Sequence, residues 1–260
     1  MVDNQSIIAK NVEVLRGMID QVKKRRRFTD ENKTAMKKDW YIRVASNSLR
    51  AVSLNNETPL REFAKNGRKG EVKEILLKDF KKGKPDVPWK SVPERRIQCW
   101  LIKYALTNLK DMKPVLLPHD NSYEKLLFCL DEVTLYRETD RKPVRCDILA
   151  AGIHGKNAFP VIIEIKSIHQ LTGEKNAVEE LKRFCKIIEN HPEELKALLQ
   201  ICIGQADIPI VDPEHIEKMI IWNKENGISH KTSQTLQKEK IKLLEYQWKI
   251  DFTPTEIKPS

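Results

Sequence analysis

The segment V-I-I-E-I-K-S, residues 161–167, most restricts what this chain can fold into. It is apolar enough to be a buried strand, yet it carries Glu164 and Lys166. A buried strand tolerates charges only when they are paired or bound to something. A second apolar run, 144–153, precedes it and carries Asp147. Between them stands H-G-K-N, a turn in which Gly155 permits positive φ. Two apolar runs joined by a tight turn predict an antiparallel hairpin. Strand residues two apart share a face. Glu164 and Lys166 therefore point to the side of Ile162, while Ile163 and Ile165 point into the core. Asp147 faces with Arg145 and Leu149, and a modest register offset sets it beside Glu164.

Around this hairpin the sequence predicts an ordered alternation. Residues 94–109 place Ile97, Leu101, Tyr104 and Leu109 near one face of a buried helix. Residues 125–137 predict a strand, 144–153 a second and 160–166 a third. Residues 176–190 predict a helix with Ala177, Val178, Leu181, Phe184, Cys185 and Ile188 on one face. L-L-Q-I-C-I-G, 198–204, predicts a further strand. The expectation is a mixed α/β sheet with helices on its faces: helix, three-strand meander, helix, strand entering parallel to a neighbour.

Residues 1–88 read as a basic helical lobe. Ile8, Val12, Leu15 and Ile19 recur at helical spacing, and K-K-R-R-R, Lys23 to Arg27, continues or ends that helix. A second helix is expected over Trp40 to Val52. Thr58-Pro59 reads as a helix start, and E-V-K-E-I-L-L-K-D-F as a third helix. Three prolines between Lys84 and Pro93 mark a boundary, so 89–210 is expected as the α/β core. Residues 211–260 are expected as a partly helical extension. In it I-E-K-M-I-I-W is strand or helix, and the stretch from Thr232 to Ile250 suggests a long charged helix.

The net charge of +10 is unevenly placed. Residues 1–90 hold 22 Lys and Arg against 12 Asp and Glu, and residues 91–260 hold 25 of each. A basic first third suggests a polyanion partner, most often nucleic acid. Lys23, Lys24, Arg25, Arg26 and Arg27, with Lys182 and Arg183 on the second core helix, are the candidate phosphate contacts. No apolar run approaches a membrane span and the first residues lack a secretory signal, so the expected location is intracellular, cytoplasmic or, in a eukaryote, nuclear. The five cysteines lack C-x-x-C spacing and sit among apolar residues, which predicts buried free thiols. No zincin, P-loop or G-x-S-x-G motif is present.

Two carboxylates at adjacent strand ends need a positive partner. Asp147, Glu164 and the carbonyl of Ile165 are hard oxygen ligands that suit Mg²⁺, or Mn²⁺ in its place. Lys166, held close by, can orient or help deprotonate a water and offset charge in a transition state. Such a site suits phosphodiester hydrolysis.

The pattern D147-x₁₆-E164-I-K166 resembles the PD-(D/E)xK nuclease superfamily, the restriction-endonuclease-like fold. The resemblance covers about 94–204. It implies a metal-dependent endonuclease acting on DNA rather than RNA, in restriction, repair, recombination or defence, with cleavage leaving a 5′-phosphate. It also implies that Asp147 and Glu164 bind the metal, that Lys166 is the catalytic lysine and that Glu94, on the first core helix, assists. Cys146 stands where the name-giving pattern has Pro. On the helix after the motif strand, some members carry a Gln-x-x-x-Tyr-like pattern; here Glu180 and Phe184 stand instead. A homodimer would suit cutting both strands of a duplex. The second reading is a catalytically inactive nucleic-acid-binding or assembly protein on the same fold.

Overall fold

The computed structural model describes residues 4–31, 40–46, 48–53, 59–60, 115–117, 123–166, 173–204, 210–223, 227–248 and 254–259, together with six helical residues between 94 and 105. It is an α/β fold built on one mixed sheet flanked by helices. Among the described residues no helix is long and apolar enough to cross a membrane.

The centre of the sheet is the expected meander. Of strands β5 (Lys125–Tyr136), β6 (Pro143–His154) and β7 (Asn157–Ile165), β6 pairs antiparallel with both β5 and β7. The β6–β7 turn holds Gly155 at φ 57°. Helices α2 (Gly173–Ile188) and α3 (Pro192–Ile203) follow. The chain then returns through β8 (Ile210–Val211) and β9 (Glu217–Asn223), both parallel to β7. Helix α4 (His230–Lys238) leads to β10 (Ile241–Trp248), parallel to β9, and β11 (Pro254–Pro259) closes that edge. β4 (Val115–Leu117) lies on the opposite edge, giving the order β11-β10-β9-β7-β6-β5-β4.

Both faces of the sheet are covered, which is why β7 is apolar on both sides. Ile162 belongs to the same core cluster as Ala177, Leu181 and Phe184 of α2 and Leu195, Leu198 and Leu199 of α3. Ile163 and Ile165 pack on the other face with Ile97, Leu101, Ile102 and Ala105, all helical as expected. Cys129, Cys146 and Cys185 are buried free thiols and Cys202 is a half-buried one.

Several expectations are corrected. L-L-Q-I-C-I-G is the end of α3, not a strand. Pro192 opens that helix, Glu193 and Glu194 complement its dipole, and Leu195, Leu198, Leu199 and Ile203 form its buried stripe. The strand entering parallel to β7 is instead β9, which contains K-M-I-I-W. The predicted long helix from Thr232 to Ile250 is α4 followed by β10. Lys240, at φ 52°, reverses the chain between them. Residues 211–260 are therefore no appendage: β9, β10 and β11 extend the main sheet.

The first 88 residues also differ. α1 (Asn4–Glu31) is helical through K-K-R-R-R, as expected. The region 40–53 is not a helix but the hairpin β1 (Trp40–Val44) and β2 (Leu49–Ser53), and Pro59 lies in a short strand, β3 (Pro59–Leu60), rather than at a helix start. W-Y-I-R-V is aromatic and β-branched, and A-S-N-S supplies a turn, which favours strands over helix. The expected helix at 71–80 lies outside the described residues. The described part is not a separate lobe, because Leu15, Met18, Val22, Ile42 and Val44 enter the same core as β5, β6 and α2. α1 passes so close to the β1–β2 turn that a Cβ on Gly17 would collide with the Ser46 carbonyl oxygen.

A buried network ties β1 to β5. The Tyr41 hydroxyl donates to Asp131 Oδ1 and Arg43 Nε to Asp131 Oδ2, each at 2.7 Å. Asp131 is fully buried and Arg43 nearly so. Truncating one member of a buried pair leaves the other charge unpaired, so Asp131→Ala is expected to cost about 3–5 kcal/mol in urea unfolding. Replacing Arg43 by Met together with Asp131 by Leu is expected to cost less than the single change.

Candidate metal centre

The site forms where β5 and β6 change face together. Along a regular strand, residues three apart lie on opposite faces. Here Leu130 and Val133 belong to one core cluster, as do Cys146 and Leu149. The main-chain pairs Asp131–Ile148 and Val133–Cys146 flank the change, and Glu132 and Asp147 stand between them. Glu132 takes φ 56°, a left-handed conformation rare outside glycine. The β6–β7 ladder ends one rung before Asp147.

The last main-chain pair between β6 and β7 joins Ile148 to Ile163, so Asp147 comes opposite Glu164. The next β7 donor, Ile165 N–H, is met at 2.8 Å by the Asp147 side chain through Oδ2. On its other edge β7 remains paired, with Lys166 N–H donating to the Ile221 carbonyl of β9 at 3.0 Å. An extended residue directs its N–H and C=O to the same edge. The Ile165 carbonyl therefore faces the side of Asp147.

Glu164 and Lys166 are 5% and 7% exposed on an interior strand. An ordinary salt bridge on the solvent face of an edge strand is thus ruled out. Lys166 Nζ lies 2.7 Å from Glu164 Oε1 and 2.9 Å from Glu180 Oε2, which reaches in from α2. On the far side, Gln98 Nε2 donates to the Asp147 carbonyl at 2.9 Å and to Glu132 Oε1 at 3.2 Å. Arg145 Nη1 lies 2.7 Å from Glu132 Oε2 and its side chain is mostly exposed.

Of the expected site residues, Asp147, Glu164, Ile165 and Lys166 come together. Glu94 is helical and half-buried, one turn before Gln98; it is through Gln98 that this helical stretch reaches Asp147. Lys23 and Lys24 are exposed on α1, with Lys23 Nζ 3.6 Å from Asp20. Arg25 is turned inward and donates to the Cys129 carbonyl at 3.3 Å. The side chains of Arg26 and Arg27 lie outside the described residues. Lys182 is paired with Glu239 at 3.1 Å and with Glu179 at 3.7 Å, whereas Arg183 is exposed.

Gln98, Glu132 and Glu180 were not among the expected site residues. For Glu132 a signal was present: L-D-E-V sets two acids inside an apolar run, as V-I-I-E-I-K does.

The electrostatics are those of a site short of positive charge. Burial pushes the Asp147 carboxyl up to about 6, although the Ile165 N–H and Lys166 favour its charged form. Burial and the Asp147 charge push Glu164 up to about 9 against the pull of Lys166. Burial also works against the Lys166 ammonium, but Glu164 and Glu180 outweigh it and hold its pKa above the ordinary lysine value. Lys166 carries one charge and three carboxylates face it, so the upward push on the two buried acids is the direction that stands.

A divalent cation fits this arrangement. Among the described residues no three His, Cys, Asp or Glu side chains form a ligand group. The donors are instead two carboxylates and the Ile165 carbonyl, all hard oxygens. That set suits an ion that keeps water and substrate among its ligands. Compared with protein-family models, curated proteins and solved structures, the chain matches none.

The Asp147–Ile165 hydrogen bond makes a discriminating expectation. Asp147→Ala leaves a buried N–H without its acceptor and is expected to cost about 1–3 kcal/mol in urea unfolding. Asp147→Asn keeps an acceptor oxygen and removes a crowded charge, so without added metal it is expected to be at least as stable as the wild type.

Proposed function

We propose that the protein is a metal-dependent nuclease with a restriction-endonuclease-like core, hydrolysing phosphodiester bonds in DNA. The observation that carries this is the joining of Asp147, Glu164 and Lys166 at the carboxyl end of an interior strand. Ligands of open α/β sheets bind at that end of the strands. The order of the described helical residues between 94 and 105, the three-strand meander, α2 and, after α3 and β8, the parallel β9 supports the same reading.

In this reading Asp147 and Glu164 bind Mg²⁺ or Mn²⁺ with the Ile165 carbonyl. The ion supplies an activated water and stabilises charge on a phosphoryl oxygen. Asp147 is held by Ile165 N–H and by Gln98 at its own carbonyl, so one ligand is oriented before the ion arrives. Lys166 brings its ammonium to the same face, where it can orient the water and offset charge on the phosphate. Exposed Lys23 and Lys24 are phosphate contacts in this reading, and Arg145 is a further candidate close to Asp147. Restriction, repair, recombination and defence all suit this chemistry.

The test is cleavage of plasmid, single-stranded DNA and RNA with Mg²⁺ or Mn²⁺. The wild type is expected to cut DNA only with metal, and Lys166→Ala to lower the rate by roughly 100-fold or more. Glu164→Ala is expected to abolish both cleavage and metal-induced thermal stabilisation. A folded wild type that gains no stability from either ion and cuts none of the three substrates overturns the proposal. Metal binding without cleavage favours the inactive binding protein instead.

Backbone binding has its own signature. Replacing Lys23 and Lys24 by Ala is expected to weaken DNA binding evenly across sequences. It should also flatten the dependence of log K on log salt by up to about one unit per lost phosphate contact. Fluorescence anisotropy at several salt concentrations measures both.

A further inference from the structure

β6 runs on past the end of its ladder with β7, and Arg145 stands on that stretch. The last pair of the ladder is Ile148–Ile163, and beyond it β6 stays paired with β5 as far as Pro143. Arg145 lies there opposite Thr134, close enough for its charge to act on the Asp147 carboxyl. A phosphate approaching the carboxyl end of β7 from solvent meets this stretch of β6 beside Asp147.

The Arg145 side chain is 58% exposed, whereas the Glu132 side chain, which it meets at 2.7 Å, is 12% exposed. The buried carboxylate engages the guanidinium through Nη1 from the inner side, and the outer edge of the fork is turned to solvent. A guanidinium carries its donors in a rigid plane that matches phosphate oxygens. Glu132 is itself fixed in place. Its backbone is left-handed at φ 56°, its Oε1 accepts from Gln98, and Asp131 next to it is clamped by Tyr41 and Arg43. Such a conformation is costly for a non-glycine residue and persists where the neighbours over-determine it. Here it delivers an acid to the inner side of an exposed arginine.

We propose that Arg145 binds the phosphate undergoing hydrolysis and that Glu132 is the positioning residue that aims it. This rests on the nuclease reading given above and deepens it. Glu132 acts through Arg145, not as a metal ligand. Two roles for Glu132 differ in sign. A bare negative charge near a phosphate opposes the substrate, so removing it would favour both binding and cleavage. A carboxylate that aims Arg145 is needed for cleavage even though its charge opposes the substrate.

The experiment compares kcat for plasmid cleavage at saturating Mg²⁺ with the affinity for a duplex oligonucleotide in EDTA, read by fluorescence anisotropy. Arg145→Ala is expected to lower kcat roughly 100-fold, the size for removing one preorganised donor to a developing charge. Arg145→Lys, which keeps the charge but not the fork, is expected to fall between. Glu132→Gln keeps an oxygen for Gln98 but no charge for Arg145. It is expected to lower kcat about tenfold, a typical size for coupled neighbours, while duplex affinity stays the same or rises. In an Arg145→Ala background, Glu132→Gln is expected to change kcat less than about twofold, because the group it aims is gone. Should Arg145→Ala not fold, Arg145→Met takes its place.

A kcat for Arg145→Ala within about twofold of the wild type overturns the inference. So does faster cleavage by Glu132→Gln. An equal loss from Glu132→Gln in both backgrounds overturns it too, since Glu132 would then act through its own charge. These outcomes are read in a wild type that cuts, and they leave the nuclease reading standing. A folded wild type that cuts no substrate removes that reading and the inference with it.

Discussion

The hydrogen bond from Ile165 N–H to the Asp147 carboxylate governs the geometry around it. In an uninterrupted hairpin that donor would meet a β6 carbonyl, and β7 would be covered to its end. Here β6 withdraws one rung early and a side chain takes the place of the ladder. The exchange keeps the buried N–H satisfied, as a sheet interior demands. It also places a carboxylate beside Glu164 and leaves the Ile165 carbonyl on the same open edge. The other edge of β7 stays paired with β9 through the Lys166 N–H, so the strand end is rigid while one side is free.

That opening depends on strain accepted further along the sheet. Glu132 adopts a positive φ opposite Asp147, and β5 and β6 change face at that rung. The cost is of order 1–3 kcal/mol for a non-glycine residue. Around the rung the structure over-determines the chain. Asp131 is clamped by Tyr41 and Arg43, Glu132 is held by Arg145 and Gln98, and Gln98 also binds the Asp147 carbonyl. The β1–β2 hairpin and helical Gln98 therefore act on the site from behind. This explains why the first part of the chain packs into the common core instead of standing apart.

Strand periodicity was a good guide where a strand had a local hairpin partner. The hairpin, its Gly155 turn and the sharing of a face by Ile162, Glu164 and Lys166 needed only the alternation of V-I-I-E-I-K. The α2 stripe followed in the same way from Ala177 to Ile188. Periodicity failed where tertiary pairing decided the outcome. K-I-K-L-L-E-Y-Q-W is compatible with a helix, but β9 offers an open edge and Lys240 breaks the helix ahead of it. L-L-Q-I-C-I has β-branched character, yet Pro192 and two glutamates start a helix six residues earlier and the leucine stripe carries it on. The site was legible as to its members at 147, 164 and 166. Its supports were not, because Gln98, Glu132 and Glu180 belong to other elements and meet only through packing.

The charge balance follows from that packing. A surface cluster of three carboxylates and one lysine would be solvated and unremarked. Burying Glu164 and Lys166 between two packed faces turns the same residues into a site whose acids are pushed toward protonation. Moving Lys166 away would leave Glu164 worse placed, and Lys166 also lies 2.9 Å from Glu180 of α2. The half-exposed Glu180 carboxylate on α2 touches Lys166 while also reaching solvent. The helix that covers the sheet thus also brings a charge to the strand end.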